Sequence, residues 1–194
     1  MSSYSRQQLE KYLKTINIDC NKCLDIGGSQ LLIKDRVNSF NVKEYKILDL
    51  EQPHECKREP DIVCDIQEAH KIVTEPKLYY DSYDVIFCIE VSEYWYNPLQ
   101  ALKNINTILK KGGVLYISFH FIYPVHNPVE QDFLRYTPRG VEKLLEETRN
   151  KILEIKPRLL ETNIANIDGM RPAKNYDKHD WQGAIIKAQK NEIN

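Results

Sequence analysis

The sequence predicts an α/β fold built on a mostly parallel sheet. Two observations carry this. Short apolar runs rich in Val, Ile, Phe and Tyr recur at Lys22 to Ile26, Tyr45 to Leu50, Asp61 to Ile66, Tyr83 to Ile89 and Gly113 to Phe121. They do not strictly alternate, as strands buried on both faces should not. Between the last two lies a helix marked at both ends: Asn97 as cap, Pro98 in the first turn, Leu99, Leu102, Ile105, Ile108 and Leu109 inward, and Lys110-Lys111-Gly112 at its close. A strand, helix and strand of this length form a crossover unit, which is almost always right-handed.

The remaining elements follow in chain order. Ser5 can cap a helix whose Leu9, Tyr12, Leu13 and Ile16 share one face, to cover a sheet edge or lid a pocket. After a loop containing Pro and His, Thr137-Pro138 restarts a helix through Val141, Leu144 and Leu145; Ile152 to Ile155 is a further strand. A polar connection with Gly169 and Pro172 leads to a final strand, Trp181 to Ala188. No repeat, linker or low-complexity tract interrupts the 194 residues, so one domain over 1–194 is expected.

Composition narrows the function classes. With 27 Lys plus Arg against 28 Asp plus Glu, the net charge of −1 gives no global basic field for a phosphate backbone, and nucleic acid is not favoured. The longest apolar runs, Val85 to Val91 and Val114 to Ile122, fall far short of the roughly 20 residues that span a bilayer. The first residues carry no apolar signal core, so a cytoplasmic protein without a membrane partner is expected. Five cysteines, Cys20, Cys23, Cys56, Cys64 and Cys88, are an odd set, which argues against a disulfide framework. A zinc site with His54 can be drawn, but a second C-x-x-C is missing; reduced, mostly buried thiols and no metal are expected.

The chemistry concentrates at strand ends. Cys23-Leu24-Asp25-Ile26-Gly27-Gly28-Ser29-Gln30 is an apolar strand ending in a carboxylate and running into small residues, which let backbone N–H groups approach a ligand at a helix N-terminus. The later glycines of a dinucleotide fingerprint are absent. The next strand ends at Leu48-Asp49-Leu50, where an acid can accept both hydroxyls of a ribose, and the third at Cys64-Asp65-Ile66. Ligands of open α/β sheets sit beyond the carboxyl ends of the strands, so Asp25, Asp49 and Asp65 are expected to line one crevice.

In this order and spacing the sequence resembles the class I S-adenosylmethionine-dependent methyltransferases, over nearly the whole chain. Leu24-Asp25-Ile26-Gly27-Gly28-Ser29 resembles the first motif of that family, Ile47-Leu48-Asp49-Leu50 its ribose motif, and Cys64-Asp65-Ile66 its adenine-flanking motif. Tyr83 to Val91 resembles the fourth strand and active-site loop, and Leu109-Lys110-Lys111-Gly112-Gly113 the turn before the fifth strand. The resemblance implies a Rossmann-like sheet of seven strands, the last antiparallel, with helices on both faces. It implies S-adenosylmethionine as cofactor and S-adenosylhomocysteine as product. Asp25 would order the turn of Gly27, Gly28 and Ser29 near the methionine amino group, and Asp49 with Leu50 would hold the ribose. Asp65 with Ile66 would contact the adenine, and Ile89 with Glu90 would face the cofactor. The family usually has a second glycine where Ser29 stands, which puts the fit of the carboxypropyl end in question.

The acceptor side is read from two loops. In Glu93-Tyr94-Trp95-Tyr96, Tyr94 replaces a histidine that many small-molecule members carry, so that loop offers no obvious base. The second loop, Pro124-Val125-His126 followed by Asp132-Phe133-Leu134-Arg135-Tyr136-Thr137, is similar to a segment of bacterial methyltransferases, some of them in surface-glycan or other sugar pathways. His126 could take a proton from a hydroxyl, or be a loop histidine bonded to Asp132. Arg135, beside Tyr136, could bind an acidic group of the acceptor or pair with Asp132 or Glu130. Tyr94, Trp95 and Tyr96 could stack on an acceptor ring or pack a lid, and His120, inside an apolar run, reads as structural. The expectation is O-methylation of a small hydroxylated acceptor such as a sugar or glycan precursor. N-methylation of a small amine and a non-catalytic scaffold are the alternatives.

Overall fold

A computed structural model describes residues 3–71, 80–159 and 181–191. Its centre is a seven-stranded sheet in the order β3-β2-β1-β4-β5-β7-β6. The strands are β1 (Asn17–Ile26), β2 (Ser39–Asp49), β3 (Ile62–Val63), β4 (Tyr83–Cys88), β5 (Leu109–His120), β6 (Asn150–Leu159) and β7 (Trp181–Lys190). Pairing is parallel from β3 through β5, and β7 runs antiparallel to both β5 and β6. The expected mostly parallel sheet with an antiparallel last strand is therefore the observed one.

Among the described residues, three α-helices flank it. In α1 (Tyr4–Leu13) the side chain of Ser3, not Ser5, caps the first turn by accepting from Arg6 N at 3.2 Å. Ser5 is instead buried. In α2 (Pro98–Ile108), Asn97 caps and Pro98 opens the helix as expected, and Ala101, Leu102, Ile105 and Ile108 face inward. In α3 (Pro138–Glu147), Thr137 accepts from Gly140 N at 3.1 Å, and Val141 and Leu145 are buried. The chain passes directly from α2 into β5: Lys110, Lys111 and Gly112 begin that strand across a register shift, with Gly112 at φ 71°.

Strand alternation divides the core in two. Leu24, Ile26, Ile86 and Cys88 pack with α2 and α3 on one face, whereas Cys23, Val85, Phe87 and Ile89 pack with α1 on the other. Full burial of each such aliphatic side chain contributes about 1.5–3 kcal/mol of apolar transfer, so both faces hold the sheet rigid behind the loops at its edge. Gly169 and Pro172 lie outside the described residues. Among the described residues no helix is long and apolar enough to cross a membrane, and all five cysteines are free.

β1 pairs with β2 on one side and β4 on the other, so the chain order reverses at β1/β4. Such a reversal leaves a crevice at the carboxyl ends of the strands.

Candidate active site

The crevice is a cleft of about 1060 Å³, walled by the carboxyl ends of β1, β2 and β4, residues 64–67, the loops after β4 and β5, and the start of α1. Its size matches the upper end of ligand sites, roughly 300–1,000 Å³, which leaves room for a nucleoside and a second small molecule.

At β1, Gly27 takes φ 75° and its N–H donates to Leu48 O at 2.8 Å. A Cβ there would collide with Val91, and one on Gly28 would collide with the Asp25 carboxylate. The two glycines are thus required by backbone form and by close approach. Asp25 lies beneath the turn, accepting from Tyr45 Oη at 2.6 Å and Ile33 N at 2.9 Å; burial pushes its carboxyl up to about 6. The helix expected after this turn is absent. The chain makes one 3₁₀ turn, Ile33–Asp35, before β2. Ser29 N donates to Asp49 Oδ2 at 3.1 Å, Leu50 N to Asp49 Oδ1 at 2.9 Å, and the buried Ser29 hydroxyl has no hydrogen-bond partner among the described residues. Asp49 is thereby fixed at the tip of β2 with a lone pair left on each oxygen. Asp65 accepts from Gln67 N at 2.9 Å.

Of the residues expected to hold a cofactor, Gly27, Asp49, Leu50, Asp65, Ile66 and Glu90 line the cleft. Asp25, Gly28 and Ser29 form its floor under the turn rather than its lining. Ile89 does not face it: as the residue in phase with Val85 and Phe87, it packs in the α1 core.

On the acceptor side, Tyr94, Trp95 and His126 line the cleft, and Arg135 and Tyr136 do not. Arg135 forms a two-pronged ion pair with Asp132 and donates to the carbonyls of Tyr123, Pro124 and Leu134, so its guanidinium is spent on bracing its own loop. Tyr136 is buried, donating to Ser92 O at 2.6 Å with its ring edge-on to Phe119. Tyr94 donates to Asn127 O at 2.7 Å, and its ring is near-parallel to that of His126.

The structure adds residues that sequence reasoning left aside. His126 Nδ1 is 2.9 Å from Oε1 of Glu93, which is wholly buried. His126 N donates to Asp132 Oδ2, so the loop bond to Asp132 is made by the backbone and the ring is left to Glu93. His120 is also wholly buried, with Nε2 3.3 Å from both Glu90 Oε1 and Glu93 Oε1. Glu90 stands at φ 60°, a costly conformation for a side-chain-bearing residue. It is held there by Ser118, which accepts from Glu90 N at 2.7 Å and donates to its carboxylate at 3.0 Å, and by Arg158 at 2.6 Å. Arg158 is fully buried and also donates to Ser5 Oγ at 2.7 Å. Burial pushes the Glu90 and Glu93 carboxyls up, but their partners outweigh it: His120 and Arg158 hold Glu90 well below the usual range, and the nearby His120 with the hydrogen bond from His126 holds Glu93 below it. Burial pulls His120 down while Glu90 and Glu93 push it up, to about 9. The local signal for this cluster is the pair Glu90 and Glu93 directly after an apolar strand, two acids with no cation beside them in sequence.

The family model described as "Methyltransferase domain" matches residues 7–115, more than half of the chain. The chain belongs to that family. It is a class I S-adenosylmethionine-dependent methyltransferase. Solved structures agree in fold with the methyltransferase. One is an S-adenosylmethionine-dependent methyltransferase from Archaeoglobus fulgidus, at 14% identity and TM-score 0.59, with 97% of this chain and 95% of that one covered. Another, from Leishmania major, gives 12% identity and TM-score 0.61 over 96% of this chain and 72% of its own. A chain of the complex between the Haloferax volcanii Trm112 methyltransferase activator and a methyltransferase gives 14% identity and TM-score 0.59, with coverage of 97% and 89%. No curated protein matches the methyltransferase.

Proposed function

We propose that this methyltransferase acts on a hydroxyl of a small acceptor, of the sugar or glycan-precursor class. The observation that carries the reading is the His126 ring, which lines the cleft with Nδ1 on the buried Glu93 carboxylate. A carboxylate can only accept, so Nδ1 carries the proton and Nε2 the lone pair. A hydroxyl needs such a group as it takes a methyl, whereas a neutral amine does not, and this favours oxygen over nitrogen.

When bound, S-adenosylmethionine supplies a methyl group made electrophilic by its sulfonium charge. The residues present fit that cofactor. The braced Asp49 carboxylate offers two acceptors to a diol, and the turn at Gly27 has no room for a side chain. We assign Asp49 and Leu50 to the ribose, Asp65 and Ile66 to the adenine, and Gly27 with Glu90 to the remaining wall; Asp25, Gly28 and Ser29 shape the turn. Trp95 walls the acceptor side, and Tyr94 holds the His126 loop through Asn127. The work of these residues is to align the acceptor and exclude water.

Two measurements test this. Calorimetric titration with S-adenosylmethionine should show binding by the parent and none by Asp49→Ala. Labelled methyl transfer to a panel of sugars and other hydroxylated metabolites should place label on oxygen. Label found solely on amines, or undiminished turnover by His126→Ala on a verified hydroxyl acceptor, would refute the reading.

A further inference from the structure

We propose that Glu93, His120 and His126 bind one divalent first-row transition-metal ion at the bottom of the cleft. These residues offer a carboxylate oxygen and two imidazole nitrogens that all lie within 4.8 Å of one another. Two imidazoles and one carboxylate suit zinc, iron or manganese and leave coordination positions open.

Two of the three donor spacings are those of a coordination shell, and the third lies within 4.8 Å. With bonds of about 2.1 Å, adjacent donors stand roughly 3.0 Å apart in an octahedron and 3.4 Å in a tetrahedron. Glu93 Oε1 is 2.9 Å from His126 Nδ1 and 3.3 Å from His120 Nε2.

Unmade bonds point the same way. His120 is wholly buried, yet among the described residues neither of its ring nitrogens has a hydrogen-bond partner, nor does the buried Glu93 Oε2. Buried polar atoms without partners are costly and uncommon. His120 Nε2 is 3.3 Å from each of two carboxylates without the alignment for a hydrogen bond to either, and a cation that displaced its proton would lie between them. Arg158 does not disqualify the position, since Glu90 engages its charge at 2.6 Å. Glu90 Oε1 faces the same His120 Nε2 at 3.3 Å and is itself held by Ser118 and Arg158. Access is through the cleft, which His126, Glu90, Tyr94 and Tyr123 line.

The chemical consequence rests on the hydroxyl reading above and changes how that hydroxyl is activated. With a cation in place, His126 is a ligand, and the acceptor oxygen occupies an open metal position where its O–H bond is weakened. The proton leaves to water. The oxygen then forms the bond to the methyl carbon as the carbon–sulfur bond breaks with its electron pair on sulfur.

The test is a Co²⁺ titration of the chelator-treated full chain, followed by visible ligand-field absorption and calorimetry. One saturating equivalent is expected. Glu93→Gln and His120→Gln should each weaken it by at least about 100-fold, since even partners behind the ligands are worth about 10- to 100-fold. Cys56→Ser should leave it unchanged. Circular dichroism melts accompany the two buried variants; if either fails to fold, His126→Gln, in the cleft loop, carries the test with a loss of at least about tenfold. Absence of saturable binding, or binding that survives the loss of His126, would overturn the site. Co²⁺ binding by a chain that methylates amines alone would sink the hydroxyl reading and uphold the site. Hydroxyl methylation by a chain that binds no Co²⁺ would do the reverse.

Discussion

Asp25 makes a pH-dependent contribution to stability whose sign and size follow from its position. Its carboxyl is 3% exposed, and burial raises it from 3.8 to about 6, in spite of the hydrogen bonds from Tyr45 and Ile33. A carboxyl whose folded pKa lies above its unfolded value binds more protons when folded. Its contribution is therefore fully present below about pH 4 and is lost as the pH rises through about 6. At about 1.4 kcal/mol per pKa unit, the loss between pH 4.5 and 7.5 is about 2 kcal/mol. Asp25→Asn removes this titration while leaving the other groups in place. Urea unfolding of both proteins across that pH range should show the parent losing about 2 kcal/mol relative to the variant as pH rises. A constant difference between them would refute the reasoning, because it would mean that Asp25 titrates alike in the folded and unfolded chains.

Three other perturbations separate the roles of neighbouring residues. Arg158→Leu takes from the buried Glu90 its nearest cation, leaving His120 and the more distant Arg6, and should destabilise the fold by about 3 kcal/mol, read as a lower urea midpoint; a change under about 1 kcal/mol would make the pair dispensable. Gly27→Ala forces a side chain into φ 75° against Val91, and calorimetry should show S-adenosylmethionine affinity falling by roughly tenfold or more, about 1.4 kcal/mol. His126→Gln should lower kcat by about 10²- to 10⁴-fold with little change in cofactor affinity, and an equal fall in both would assign the ring to the cofactor side.

The parallel half of the sheet was legible because strands covered on both faces must be apolar throughout, and Asp25, Asp49 and Asp65 mark where three of those segments meet solvent. The beginnings of β1 and β2 were not, because Asn17–Asn21 and Ser39–Glu44 are half exposed and read as polar. The same continuous apolarity hid the parity of Ile89, since a run without alternation does not say which residue faces which side. Expecting a helix after Gly28 followed the usual phosphate-binding pattern, but Ile33–Asp35 is all the helical structure the chain forms there before β2 begins at Ser39. For Arg135, the pairing with Asp132 prevailed because three residues bring the two charges together before any acceptor can. The cluster of Glu93, His120, His126 and Arg158 was invisible for a different reason. Its members come from two loops and two strands, and Arg158 is buried only because β6 lies under α1.

The recognisable family segment ends at residue 115, inside β5. Glu90 and Glu93 lie within that segment, and the groups that face them lie past it: His120 at the end of β5, His126 in the next loop, Arg158 out on β6. A fragment cut at residue 115 would keep Asp49, Asp65, Glu90 and Glu93 and lose the two imidazoles and the guanidinium that face those glutamates. The cluster is thus assembled from both halves of the chain, and neither half can form it alone.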